Sequence, residues 1–236
     1  MGDTRIVIPV SMASSRLDNK PMLMTGGKPL LHWTFDQASK VSDWVWIATD
    51  NDEVIKYCEQ EGIPFIVTSP NHQCGTTRVA EACLNLKFSD SDVVVNWQVD
   101  EPLVEPSDVA KLCKSVSEES GFVHEVHTLV SPIDREQAEN EDTVKVIVNG
   151  QDECVWFSRA LMFGSMGHCG IYAADSTSFI KIARQNACRF SVLEKLEQLT
   201  WLYHGLVVMK AVKINELPMS INNEEDWSHF VTLKEL

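Results

Sequence analysis

The stretch from Ile6 to Met22 gathers the residue types that hold phosphate. Ser14 and Ser15 offer hydroxyls, Arg16 a planar fork of donors and Lys20 a mobile point charge, in a loop whose small residues let backbone approach an anion closely. Pro9 and Pro21 fix φ and bracket the turn. The Gly-x-x-x-x-Gly-Lys-Ser/Thr pattern of a Walker A loop is absent. A second polar turn, His72-Gln73-Cys74-Gly75-Thr76-Thr77-Arg78, opens a helical pattern. A third, Gln98-Val99-Asp100-Glu101-Pro102, follows a strongly apolar run. Asp100 there offers the carboxylate oxygen that a hard cation wants, and is equally placed to cap the next turn. His124 and His127 are three apart in a strand-like run, face opposite sides of it and read as structural.

Elements must carry these loops to one place, and the apolar pattern names them. Ile6 to Val10, Trp44 to Thr49, Pro64 to Thr68 and Asp92 to Trp97 read as strands. Between them lie helical patterns over Leu30 to Ser39, Val54 to Gly62 (capped from Asn51 or Asp52) and Val79 to Leu86. Strand, helix, strand at short spacing signals a parallel sheet with crossover helices, whose ligand loops leave the carboxyl edge. After a helix over Pro106 to Ser117 the alternation loosens. Phe122 to Val130, Val144 to Val148 and Cys154 to Ser158 read as successive strands of an antiparallel or mixed extension. Gly164 to Gly170 reads as a flexible connection into a strand from Gly170 to Ala173. Phe179 to Arg184, Val192 to Tyr203 and Glu224 to Leu233 read as helices, and Leu206 to Val212 as a strand.

The 236 residues carry 34 acidic against 20 basic side chains, a net charge of -14, so broad attraction to nucleic acid or anionic lipid is not expected and an anionic ligand needs a local cationic pocket. Seven scattered cysteines without a Cys-x-x-Cys pair fit reduced, buried thiols of a cytoplasmic chain rather than a disulfide framework or structural zinc. No signal peptide is visible, and no apolar run reaches the ~18 residues that cross a bilayer. With no repeat or linker, 1–236 reads as a single domain.

Taken together the motifs resemble those of the CMP-Kdo synthetases, the 3-deoxy-manno-octulosonate cytidylyltransferases. The carrying segments are Ile8-Pro9 with Ser14 to Leu17 and Lys20-Pro21, Ala48-Thr49-Asp50, His72 to Arg78, Asn96 to Pro102, Val144-Lys145-Val146, Phe157-Ser158-Arg159-Ala160, His168 to Tyr172 and Leu196-Glu197-Gln198-Leu199. They run in the family's order over nearly the whole chain. The resemblance implies an α/β three-layer sandwich with a mixed, mostly parallel central sheet, a Rossmann-like nucleotide-binding half over 1–120 and a sugar-binding and dimerisation half over 121–236. It also implies a homodimer built from the later strands and a Mg²⁺-dependent reaction, in which the anomeric oxygen of a sugar acid attacks the α-phosphorus of CTP and pyrophosphate leaves.

By the same resemblance, Arg16, Lys20 and Asp100 are the expected catalytic residues. Pro9, Ser11, Ser14, Gly75, Thr76, Arg78 and Gln98 join Arg16 and Lys20 around the nucleotide. Gln98, Arg159, His168, Glu197 and Gln198 surround the sugar, with Asp100 and Asn222 on the metal. The chain also departs from the pattern: Ser11 and Ser69 stand where relatives carry arginine, Asp18-Asn19 replaces Pro-Gly, Val99 replaces a glycine, and Asn222 replaces a second metal-binding aspartate. The segment between Arg159 and His168 is shorter than usual. These losses of charge also fit a catalytically weakened or inactive homologue that binds a nucleotide or acts as an assembly subunit.

Overall fold

The computed structural model describes residues 2–12, 16–118 and 124–235. Its strands are β1 (Thr4–Val10), β2 (Met24–Thr25), β3 (Lys28–Pro29), β4 (Val45–Thr49), β5 (Phe65–Val67), β6 (Val93–Trp97), β7 (Glu125–Ser131), β8 (Lys145–Val148), β9 (Cys154–Ser158), β10 (Met166–Asp175) and β11 (Val208–Lys213). Its helices are α1 (Leu30–Ala38), α2 (Asp52–Glu61), α3 (Gly75–Asn85), α4 (Pro106–Glu118), α5 (Arg135–Glu139), α6 (Ser176–Ala183), α7 (Arg189–Glu194), α8 (Gln198–Tyr203) and α9 (Glu224–Glu235).

The main sheet runs β11-β7-β10-β6-β1-β4-β5, and β8 and β9 extend it from β10. β6, β1, β4 and β5 are parallel, β10 is antiparallel to both β6 and β7, and β11 is parallel to β7. β1 is paired on both edges and covered on both faces, which is why it reads as a continuous apolar run. Ile6, Ile8 and Val10 pack with Leu31 of α1, Val54 of α2 and Leu112 of α4. Val7 faces the other way, with Val79 of α3, Phe179 of α6 and Leu199 of α8. Two apolar layers thus clamp one sheet, each buried aliphatic chain contributing roughly 1.5–3 kcal/mol.

The chain leaves β1 toward β4 on one side and returns through β6 on the other, so the order reverses between β1 and β6. Such a switch point opens a crevice beyond the carboxyl ends of the strands. Here the β1–β6 ladder stops at the pair Val7 and Asn96. Ile6 N donates to Trp44 O on the β4 side, so by alternation Pro9 turns its missing N–H toward β6, where no ladder bond is required.

Two expectations about elements change, and one helix appears that the sequence pattern does not show. Residues Val192 to Tyr203 are not one helix: α7 ends at Lys195, whose φ of 55° is left-handed, and α8 begins three residues later. Gly164 to Gly170 is strand rather than flexible connection from Met166 onward, because Met166 and Gly167 pair with Val146 and Lys145 of β8 and Gly167 with Ser131 of β7. The short α5, held by a reciprocal cap between Asp134 and Gln137, has too few apolar residues to be seen as a period. Ser14, and the residues Phe122 and Val123 expected in β7, lie outside the described residues.

Candidate active site

A cavity of about 1090 Å³ opens at the β1–β6 switch point. Gln98, Asp100 and Glu101 reach its wall from the end of β6, Thr76 and Cys74 from the start of α3, Arg16 from the loop after β1, and His168 and Tyr172 from β10. The break between α7 and α8 adds Glu197 and Gln198 to the same wall.

Lys20 Nζ lies 2.6 Å from Asp100 Oδ2 and donates to Ile221 O at 3.1 Å. Arg16 pairs with Asp142 and donates to Asn222 Oδ1 at 3.2 Å. Asp226 accepts from the backbone N of Asn222 at 2.8 Å and of Asn223 at 3.2 Å, which fixes the loop that presents Asn222. Arg16 and Asp100 thus line one hollow, and Lys20 adjoins its wall through its ion pair with Asp100. Gly75 and Pro9 stand directly behind it: a Cβ at Gly75 would lie 2.8 Å from Gln98 Nε2 and 3.1 Å from Pro9 Cγ. Glycine lets α3 start this close without displacing the Gln98 amide or the Pro9 ring. Ser11 follows β1 as an exposed residue and is not part of the wall.

Arg78, expected at the nucleotide, points elsewhere. It is 3% exposed, 2.6 Å from Thr68 Oγ1 and 2.6 Å from Asp50 Oδ1, tying the ends of β5 and β4 beneath the cavity. Its neighbours lie far off in sequence, so the Gly75-Thr76-Thr77-Arg78 turn alone gives no sign of that burial.

Arg159 rests on backbone rather than on a surface acid. Its Nε donates to Glu194 O at 3.2 Å and Nη1 to Glu141 O at 3.1 Å. Burial, and then the charge of Arg16, push its pKa down, and the two guanidinium contacts leave donors of its five for a ligand.

The other half of the cavity offers acceptors. Thr128 has one hydroxyl proton and gives it to Ile171 O at 2.8 Å, so it accepts from His168 Nε2 at 3.0 Å. With Cys169 O at 3.2 Å as a second acceptor for the Thr128 proton, this arrangement favours the tautomer with the proton on Nε2, which leaves Nδ1 as an acceptor. Burial pushes the His168 pKa down to about 3, so the ring, edge-on to Phe157 at 5.0 Å, is neutral. Gln198 donates its amide to Tyr172 Oη and keeps a buried Oε1 with no partner. Glu197 Oε1 accepts from Thr76 Oγ1 at 2.9 Å, while burial raises its pKa.

Three wall residues were not legible as site residues. Glu101 Oε1 accepts from Ser220 Oγ at 2.7 Å and Gly170 N at 3.2 Å, and burial next to Asp100 pushes its carboxyl up to about 7. Its place inside the Gln98 to Pro102 motif was the available signal. Cys74, whose thiol burial and Glu197 push up to about 12, likewise stood inside the His72 to Arg78 turn, whereas Asp142, in a polar loop without motif, carried no signal.

The cytidylyltransferase family profile matches residues 6–214. A 3-deoxy-manno-octulosonate cytidylyltransferase from Coxiella burnetii is 31% identical over 94% of this chain and 96% of its own length. The chain belongs to that family. A Hydrogenovibrio crunogenus 3-deoxy-manno-octulosonate cytidylyltransferase 1 is 33% identical, covering 94% of this chain and 92% of its own. A solved structure described as CMP:2-keto-3-deoxy-manno-octonic acid synthetase complexed with CTP superposes with a TM-score of 0.89 at 28% identity over the whole of both chains. The chain is thus a nucleotidyltransferase of the CMP-Kdo synthetase type with that fold, as its motifs imply. Among the described residues no helix is long and apolar enough to cross a membrane.

Proposed function

We propose that this protein activates 3-deoxy-manno-octulosonate, or a related ulosonic acid, with CTP to give the CMP-sugar and pyrophosphate. The observation that carries the reading is the shared cavity: the ion pairs Arg16–Asp142 and Lys20–Asp100 at one end, and neutral or anionic acceptors at the other. A triphosphate matches the first set and a polyol acid, whose hydroxyls donate, matches the second. Arg16 and Lys20 would stabilise charge growing on the pyrophosphate as the bond from the sugar oxygen to the α-phosphorus forms. Arg159 would take the sugar carboxylate. Gln98 Oε1, His168 Nδ1, Glu197 and Gln198 Oε1 would receive sugar hydroxyls.

Mg²⁺ fits the donor set. Among the described residues no group of three His, Cys, Asp or Glu would hold a metal alone, and a hard cation that shares phosphate oxygens needs one or two carboxylates. Asp100 is that carboxylate, with the Asn222 amide oxygen beside Arg16 as the neutral second donor. When bound, the ion would draw charge from the triphosphate.

A homodimer is part of the reading. β9 is an outer strand paired with β8, and Phe163 is 94%, Leu193 79% and Tyr203 60% exposed around it. Trp156 and Phe190 pack edge-on at 5.4 Å within this apolar surface. Burying it against a second copy would explain its composition.

The second reading, a homologue that binds a nucleotide without turnover, is favoured by Asn222 in place of a carboxylate and by Arg16 engaged with Asp142. Pyrophosphate release with CTP, Mg²⁺ and the sugar acid separates the two. Turnover that needs all three supports synthesis, whereas a CTP-induced rise in Tm without turnover supports the second reading.

A further inference from the structure

From the end of β6 to the break before α8, a chain of hydrogen bonds runs along the cavity through two buried residues. Gln98 Nε2 donates to Asn96 Oδ1 at 2.7 Å, Asn96 Nδ2 to Thr76 Oγ1 at 3.1 Å, and Thr76 Oγ1 to Glu197 Oε1 at 2.9 Å. Asn96 is fully buried and Thr76 is 1% exposed. The four residues come from β6, its following loop, α3 and the break before α8.

The direction of this chain is set at one end. Thr76 Oγ1 donates to Glu197 Oε1 and so spends its one hydroxyl proton there. Its oxygen then accepts from Asn96, which therefore turns its NH₂ toward Thr76 and its carbonyl toward Gln98. Gln98 in turn must present NH₂ to Asn96, and its own Oε1 is left for a ligand. Reversing any amide would set two oxygens or two NH₂ groups face to face in a buried place, at the cost of an unsatisfied polar group.

We infer that Asn96 and Thr76 are positioning residues that fix the acceptor orientation of Gln98 and Glu197 and so hold two sugar-facing acceptors, one from the end of β6 and one from the break before α8, in one network. Neither acts on the reacting atoms; each sets what its neighbour offers. Asn96 has no other visible reason to be polar in an otherwise apolar strand that reads Val93, Val94, Val95, Asn96, Trp97. The inference rests on the reading of Glu197 and Gln98 as sugar acceptors.

The test compares Thr76→Val, Thr76→Ser and Asn96→Asp with the wild type, measuring KM for the sugar acid, KM for CTP and kcat by pyrophosphate release, with calorimetric titration of the sugar acid in parallel. Thr76→Val keeps volume but cuts both links, and should raise the sugar-acid KM roughly tenfold or more while kcat at saturation changes little. Thr76→Ser keeps the hydroxyl and should restore the wild-type KM. Asn96→Asp sets a second acceptor against the Thr76 oxygen and should raise the sugar-acid KM as Thr76→Val does. An unchanged KM in Thr76→Val, or a Thr76→Ser variant as impaired as Thr76→Val, overturns the inference while wild-type turnover leaves the functional reading standing. If Thr76→Val does not fold, the sugar-acid KM of Asn96→Asp decides in the same way. A wild type that neither binds nor consumes the sugar acid overturns both.

Discussion

Lys20 Nζ and Asp100 Oδ2 lie 2.6 Å apart although eighty residues separate them, and both are mostly shielded, with 12% and 26% of their side chains exposed. A cation for phosphate and the carboxylate best suited to a metal are thus held against each other at the mouth of the β1–β6 crevice. The pair sits where the fold opens, so its chemistry follows from the topology as well as from the residues.

Replacing the carboxylate should therefore abolish chemistry without unfolding the chain. Asp100→Asn keeps the shape, and Lys20 keeps Ile221 O as an acceptor. Turnover in the pyrophosphate assay should fall by on the order of 10²-fold or more, with Tm close to wild type. Wild-type rates in this variant would defeat the assignment of Asp100.

How much of this could be read from the sequence depends on distance along the chain. Lys20, Asp100 and Arg16 were legible because each lies in a loop directly after a strongly apolar strand, and strand ends on a parallel sheet are where ligand loops gather. Arg78 was misread because its meaning lies in Asp50 and Thr68, which reach it only through the pairing of β4 with β5. Glu197 was found from its motif, but the left-handed Lys195 that aims it was hidden in what looks like one helical run. Asp142 and Asn96 became visible only once β6, α3 and the loop before β8 were in place.

Arg78 is structural, so its loss should appear in stability before binding. Arg78→Met leaves Asp50 without its partner and Thr68 without its donor, at a cost of about 3 kcal/mol. Chemical denaturation should show that loss, while KM for CTP in the folded variant stays within a few-fold of wild type. A large KM effect with unchanged stability would return Arg78 to the nucleotide.

Restoring the missing carboxylate tests the metal proposal. Asn222→Asp adds a charged oxygen where Arg16 now donates at 3.2 Å. The Mg²⁺ concentration for half-maximal turnover should drop several-fold, since carboxylates bind this ion better than amides do. An unchanged Mg²⁺ dependence would mean that this loop does not reach the ion.

His168 makes stability depend on pH. Its folded-state pKa, about 3, lies below the ordinary value of 6.5, so between these limits the unfolded chain binds the extra proton. The stabilising difference is fully present above pH 6.5 and shrinks as pH falls, on the order of 1 kcal/mol per pH unit. Relative to wild type, His168→Gln should flatten the decline of Tm between pH 6.5 and 4. Parallel curves would show that the ring titrates normally.

The central claim is that Arg16, Lys20 and Asp100 face one triphosphate. Calorimetric affinities for CTP and CMP, compared between the wild type and Arg16→Met and Lys20→Met, address it most directly. Both variants should lose roughly tenfold or more in CTP affinity and little in CMP affinity, because the lost charge faces the β- and γ-phosphates. Unchanged CTP affinity in both variants, or equal losses for CTP and CMP, would contradict it.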